Sequence, residues 1–321
     1  MMEATARQQL SHVFVVLNPM AGNSTAADVR AALDRYFSAD RWSQQIYETT
    51  GDEEVADIVR AALVHGCDLV IAAGGDGTVS DAAEALVHSD VPLGIIPVGT
   101  ANVLARELGL PLDLDGACAL LAGEHTTSSI DAMQVGDKAF FLHIGVGIDS
   151  LMIRDTDRAA KRRFGRAAYL WIALRWLIGY QPRRFTIVVD GRRLRPRAAQ
   201  VLIANGGLLG VPPFRWGPDI RPDDGRIDVC VLSARSLGDY LRVAWQVLIG
   251  HRRRSPNIRY YSAERSIVVD ADRPLPIQGD GEILGETPAR VKVIPDAVAI
   301  VVPPPNLPQA SRPIEEALGG V

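Results

Sequence analysis

Val70–Leu86 reads VIAAGGDGTVSDAAEAL. Val70–Ala73 is an uncharged apolar run that predicts a buried parallel strand. Gly74-Gly75-Asp76-Gly77-Thr78 follows at once, and three glycines in five residues let the backbone turn sharply and approach a ligand closely. Beyond it Val79, Ala82, Ala83, Leu86 and Val87 recur at helical spacing, which predicts an amphipathic helix. Strand, glycine turn and helix together aim backbone N–H groups and a helix N-terminus at a phosphate. An ordinary strand-to-helix turn would have no need of Asp76. A carboxylate inside an otherwise anion-friendly loop makes sense when Mg²⁺ accompanies the phosphates.

Working outward, the same alternation repeats. His12–Leu17 predicts a strand running into Asn18-Pro19-Met20-Ala21-Gly22-Asn23, with Ser24 or Thr25 capping a helix to about Phe37. Ser43–Glu48 predicts a second strand, and Thr49-Thr50-Gly51-Asp52 leads into a helix stopped at Gly66. Pro92–Ile96 predicts another strand, ending in Pro97-Val98-Gly99-Thr100-Ala101-Asn102 before a helix over Val103–Leu108. Such alternation specifies a doubly wound α/β nucleotide-binding domain, whose ligands gather beyond the carboxyl ends of the strands. Asn18, Thr50, Gly75–Thr78 and Gly99–Asn102 all fall on that rim.

From Ile130 the texture changes to short strands, at Ile130–Val135, Phe140–Ile144, Phe185–Val189, Ala199–Ala204, Ile227–Leu232 and Ile267–Val269. Asp190-Gly191 and Asp224-Gly225 mark turns between them, which predicts an antiparallel β-sandwich-like domain. The expected division is residues 1–130, residues 131–305 and a C-terminal tail, 306–321.

NPMAG, GGDGT and PVGTAN, in this order and at these separations, resemble the diacylglycerol kinase catalytic family, in its branch of soluble bacterial lipid kinases related to sphingosine and ceramide kinases. The likeness continues through Ile130-Asp131, FFLHIGVGID (Phe140–Asp149), Asn205-Gly206-Gly207, Pro222–Gly225 and Gln278-Gly279-Asp280-Gly281-Glu282, so it spans about residues 12 to 303. The resemblance implies ATP as phosphate donor, Mg²⁺ and a lipid hydroxyl as acceptor. It implies a nucleotide cradle of Asn18, Thr50, Gly74, Gly75, Asp76, Gly77, Thr78, Gly99, Thr100 and Asn102. Asp76, helped by Asp131, would orient Mg²⁺ through water, and Glu282 matches the general base for the acceptor hydroxyl. Asp224, with the carbonyls of Arg221 and Arg226, resembles a structural Mg²⁺ site. The chain departs from the pattern at Val103, where the relatives usually have an acid, and Asp280 is the candidate to replace it.

Composition narrows the partners. Hydrophobic residues at 47% and charged residues at 22% make a globular chain of 321 residues, long enough for two cores. A net charge of −4 gives no global pull toward nucleic acid. Cys67, Cys118 and Cys230 lack metal or disulfide spacing, there is no run of membrane-span length, and a cytoplasmic protein is expected. Tyr169, Ile172, Ala173, Trp176, Leu177 and Tyr180 share one helical face flanked by arginines, and Arg252–Arg254 form a second basic knot. Peripheral contact with an anionic membrane is the functional reading of that pattern, and a core helix with a solvated face is the structural one. An NAD kinase-like phosphotransferase and a catalytically inactive regulator stay open as alternatives, as does a homodimer.

Overall fold

The computed structural model describes residues 11–22, 24–51, 53–155, 180–208, 215–217, 219–234, 236–248 and 256–305. The predicted helix around Tyr169–Leu177, the Arg252–Arg254 knot and the 306–321 tail lie outside them. The first half alternates β1 (Ser11–Leu17), α1 (Ala26–Tyr36), β2 (Trp42–Glu48), α2 (Val55–His65), β3 (Leu69–Gly74), α3 (Asp76–Ala85), β4 (Leu93–Pro97), α4 (Val103–Glu107) and α5 (Leu114–Ala122). The second half runs β5 (Thr126–Val135), β6 (Lys138–Phe140), β7 (His143–Gly147), α6 (Ile148–Asp155), β8 (Arg183–Val189), β9 (Arg192–Leu194), β10 (Arg197–Ala198), β11 (Gln200–Ala204) and β12 (Ile227–Leu232). It closes with α7 (Leu237–Leu248), β13 (Ile258–Ala263), β14 (Ser266–Ala271), β15 (Pro276–Gly279), β16 (Glu282–Glu286) and β17 (Ala289–Val302).

β4-β3-β1-β2 form the parallel, doubly wound part. Strand alternation explains its two covered faces. Val13, Val15 and Leu17 pack with α1 and α5 through Val29, Leu33 and Leu121. Phe14 and Val16 face α2 and α3 through Val59, Val79 and Ala82. Thr25 caps α1 in a reciprocal capping box with Asp28, as its position before the apolar run predicts.

The antiparallel part is two sheets. β13-β12-β11-β7-β15-β16 form one. β8, β14 and β17 form the other, and the buried face of each meets in a shared core that includes Phe185, Ile187, Ile203, Val229 and Ile277. β17 is the joint of the molecule. It pairs with β14 and β5, and its Ile300 pairs in parallel with Leu93 of β4, so one 11-stranded sheet runs from the α/β half into the sandwich.

Two details differ from the sequence expectation. The predicted turn at Asp76–Thr78 is already helix, because α3 begins at Asp76 with the extended Gly75 as its N-cap. The predicted Phe140–Ile144 strand is broken at Phe141 and Leu142. The amides of Phe141, Leu142 and His143 all turn to the Asp280 carboxylate at 2.9–3.4 Å, which competes with ladder pairing.

Candidate active site

The rim at the carboxyl ends of the parallel strands is drawn together by close backbone approach. A methyl group on Gly74 would fall 2.6 Å from the Thr78 side chain, and one on Gly99 would strike the Gly75 backbone and lie 2.7 Å from Asn102 Oδ1. Gly22, at φ +64°, passes so near the Val98 carbonyl that a side chain there would collide with it. The Gly99 amide donates to the Gly74 carbonyl at 3.2 Å. Asn18 Nδ2 donates to Thr78 Oγ1 at 3.1 Å, tying the end of β1 to the first turn of α3. Thr50 is exposed just past β2, its amide held by Glu53 at 2.9 Å. Gly77 and Thr100 are also exposed.

One feature leaves this rim open to an anion, and a second offers an oxygen to a hydrogen-bond donor or a cation. Gly75 offers α3 no side-chain cap, so the first-turn amides are unclaimed by a capping oxygen. Asn102 is buried in a left-handed conformation with its Nδ2 donating to the Pro97 and Gly99 carbonyls, while Oδ1 has no protein partner. An orphaned buried oxygen beside the closely approaching Gly75 and Gly99 fits a site completed by a ligand's hydrogen-bond donor or a cation.

Asp76 stands at the junction. Its Oδ1 accepts a 2.6 Å hydrogen bond from the Val103 amide at the start of α4. Burial raises its pKa, the amides of Val103, Leu104 and Asn102 pull it back down, and the charge of Asp280 raises it again. Val103, where the resemblance would place an acid, is instead buried in the apolar cluster with Val79 and Leu104.

Asp280 closes over this rim from the sandwich. Besides the three amides above, its Oδ2 accepts from Ser80 Oγ of α3 at 3.1 Å, so the Asp280-Gly281-Glu282 turn lies against the α/β half. Glu282 is exposed at the start of β16. Its charge is felt by Asp81 of α3. Although that residue reaches solvent, the protein packed around its carboxyl and then the charges of Glu282, Glu84 and Glu54 push its pKa up to about 6, against Lys138.

Asp131 takes its hydrogen bonds from other segments. It is 1% exposed, and its carboxylate accepts from the amides of Gly225 at 2.7 Å and Asp296 at 3.0 Å. Its own amide donates to the Pro222 carbonyl. Burial raises its pKa, and the nearby charge of Asp224 adds to the rise. The structure thus brings Asp131 to the exposed Asp224 turn, where Arg221 pairs with Asp223 and the Arg226 amide donates to Asp224 at 3.1 Å. Carboxylate and carbonyl oxygens are the donors that hard divalent cations take, so this turn fits Mg²⁺. Among the described residues no cluster of three or more His, Cys, Asp or Glu has metal-binding geometry.

Some contributors carry no sequence signal that singles them out, and others show their partners only in the folded chain. Glu107 of α4, its side chain 4% exposed, grips Arg215 at 2.6 Å and the amides of Gly207 and Leu208, a second tie between the two halves. Ser80 and Asp81 lie one turn beyond Asp76, and helical spacing from it was the only cue to them. Gln278, fully buried, links Asp149 Oδ2 at 3.1 Å to the Gly281 amide at 3.0 Å.

An α/β half with a glycine-rich rim is met by an acidic turn from a β-sandwich, the arrangement expected of the lipid-kinase class that the sequence resembles. Comparison with known proteins agrees. Residues 12–135 match the diacylglycerol kinase catalytic domain model, and residues 143–302 match the model of the YegS C-terminal NAD kinase beta sandwich-like domain. A diacylglycerol kinase of Mycobacterium tuberculosis is 29% identical over 315 residues, covering 92% of this chain and 97% of that protein. A Pseudomonas fluorescens protein named "Probable lipid kinase YegS-like" is 30% identical over 278 residues, covering 86% and 91%. An uncharacterized Synechocystis protein is 33% identical over 249 residues, 75% of this chain, and the chain spans 56% of its length. In fold, the crystal structure of a diacylglycerol kinase from Bacillus anthracis str. Sterne matches with a TM-score of 0.71 at 24% identity, covering 92% of this chain and 98% of that one. The chain belongs to the diacylglycerol kinase family of lipid kinases.

Proposed function

We propose that this protein is an ATP- and Mg²⁺-dependent lipid kinase that phosphorylates the hydroxyl of diacylglycerol or a related lipid. The observation that carries the reading is the Ser80–Asp280 hydrogen bond, which sets the turn bearing Glu282 against the first turns of α3. Residues 1–130 are the nucleotide lobe and residues 131–305 the acceptor lobe in this reading.

The cradle is Asn18, Thr50, Gly74, Gly75, Gly77, Thr78, Gly99, Thr100 and Asn102, with α3 amides facing phosphate oxygens. Asp76 would hold Mg²⁺ through water, and Asp224 with the Arg221 and Arg226 carbonyls would hold a structural ion. Mg²⁺ supplies charge neutralisation at the phosphates. Asp280 fixes the turn, and Asp131 fixes the Asp224 loop. Glu282 accepts the proton of the lipid hydroxyl as its oxygen bonds to the γ-phosphorus and the bridging bond to ADP breaks. Among the described residues no helix is long and apolar enough to cross a membrane, so the lipid would be met at the bilayer surface. Three free cysteines fit a cytoplasmic setting, with peripheral contact at the inner membrane face.

The test is to incubate the protein with labelled ATP and Mg²⁺, offering diacylglycerol, ceramide and phosphatidylglycerol in mixed micelles and NAD in a separate tube. Label in one of the lipids is expected. Label only in NADP would select an NAD kinase, and label in neither would select an inactive regulator.

A further inference from the structure

The outer face of the β8-β14-β17 sheet carries a row of cations. Arg184 stands directly across from Arg197, Val188 lies between Arg193 and Val268, and Val268 faces Arg290. Lys292, two residues along β17, shares that side, because opposed residues of an antiparallel pair project to the same face and alternate residues return to it. The five cations are exposed, whereas Phe185, Ile187, Val189, Val269 and Val291 on the other side are core. Among the described residues no ion pair engages any of the five. Asp270 is the one carboxylate in the paired register of that face, opposite Thr186, and it accepts from the Ala271 amide. At the sheet edge a recess of about 450 Å³ is lined by Arg184, Arg195 and Arg197, with Asp272 on its wall.

Like charges directly opposed across a strand pair destabilise a sheet, so Arg184 facing Arg197 is an arrangement that folding alone disfavours. A counter-anion relieves it. Five cations spread over β8, β9, β10 and β17 make a broad array held by the sheet, which suits an extended anionic surface better than a groove-following polymer. The chain as a whole has a charge of −4, so this face would also orient the molecule on approach.

We propose that the outer face of β8-β9-β10, continued by Arg290 and Lys292, docks on an anionic phospholipid bilayer, with one lipid phosphate in the recess of Arg184, Arg195 and Arg197. The choice of a bilayer over other polyanions rests on the lipid-kinase reading. Vesicle binding is measured without turnover, so failure of one is distinguishable from failure of the other.

The test is co-sedimentation of the full chain with vesicles of phosphatidylcholine alone and of phosphatidylcholine with one-third phosphatidylglycerol, at low and high salt. The protein should prefer the anionic vesicles at low salt, and the R184S/R197S double variant should partition about 25-fold less well, since each surface cation adds roughly fivefold. R35S/R41S, equal in charge change and remote in sequence, should behave as the parent. If the double variant loses its native thermal transition, R193S/R290S reads the same quantity. Equal partitioning of parent and patch variants would overturn the proposal. So would indifference to lipid charge, displacement by millimolar inorganic phosphate, or stronger patch-dependent binding to a single-stranded oligonucleotide than to vesicles.

Discussion

The Asp76 carboxylate is bonded to the amide of Val103, not to a neighbouring acid, at 2.6 Å. The Val103 side chain is turned into the core. Restoring a carboxylate there with Val103→Asp would bury a second charge near the first. Stability should fall by about 2 kcal/mol or more. Mg²⁺ should raise the melting temperature of this variant more than that of the parent, as a thermal scan with and without the ion will show.

Gly99→Ala tests the cradle. The added methyl meets the Gly75 backbone and Asn102 Oδ1, so one strand-to-helix turn must move away from the other. Overpacking of this kind costs about 1–3 kcal/mol. The KM for ATP should rise at least tenfold with the lipid KM little changed, and steady-state kinetics in both substrates will separate the two.

Asp280→Asn tests the turn. An amide presents one acceptor and one donor to three backbone N–H groups and the Ser80 hydroxyl, so charged hydrogen bonds worth about 1.5–3 kcal/mol each are lost or weakened. We expect a drop of about 3 kcal/mol in urea unfolding, with Phe141–His143 the first amides to lose hydrogen-exchange protection.

Glu282→Gln tests the base. The side chain is exposed, and among the described residues no hydrogen bond or ion pair engages it, so the fold and ATP affinity should hold while turnover falls roughly 10²- to 10⁴-fold. A variant turning over within a few-fold of the parent would remove the assignment.

Asp81 supplies the pH test. Its pKa is raised to about 6 by its enclosure and by the charges of Glu282, Glu84 and Glu54, above the roughly 3.9 of an unfolded chain. The folded state therefore holds its proton more tightly, and stability falls as pH rises from about 4 to about 6, staying lower above that. Asp81→Asn removes this dependence. Its melting temperature should match the parent near pH 4 and exceed it by a constant margin above about pH 7.

The α/β half was legible because each of its signals is local. Apolar runs, Thr25 before a helix and Gly66 after one need no distant partner to be read. What escaped depends on contacts far apart in the chain. Nothing near Phe141 announces that Asp280, 139 positions later, will take its amide and break the strand. Asp131 shows the same limit at the site. Its motif marks it as special, but only the folded chain shows that its oxygens are held by Gly225 and Asp296. Glu107 looks like a surface residue of a short helix until Arg215 arrives from the other lobe.

β17 sets the order in which the molecule can be completed. β4 has β3 on one flank and only the far end of β17 on the other. During synthesis the earliest-made sheet therefore keeps a bare border until residue 300 emerges, and a polypeptide halted near residue 135 would carry an unpaired strand inviting self-association. The α/β half, made before the sandwich, is the last to be sealed.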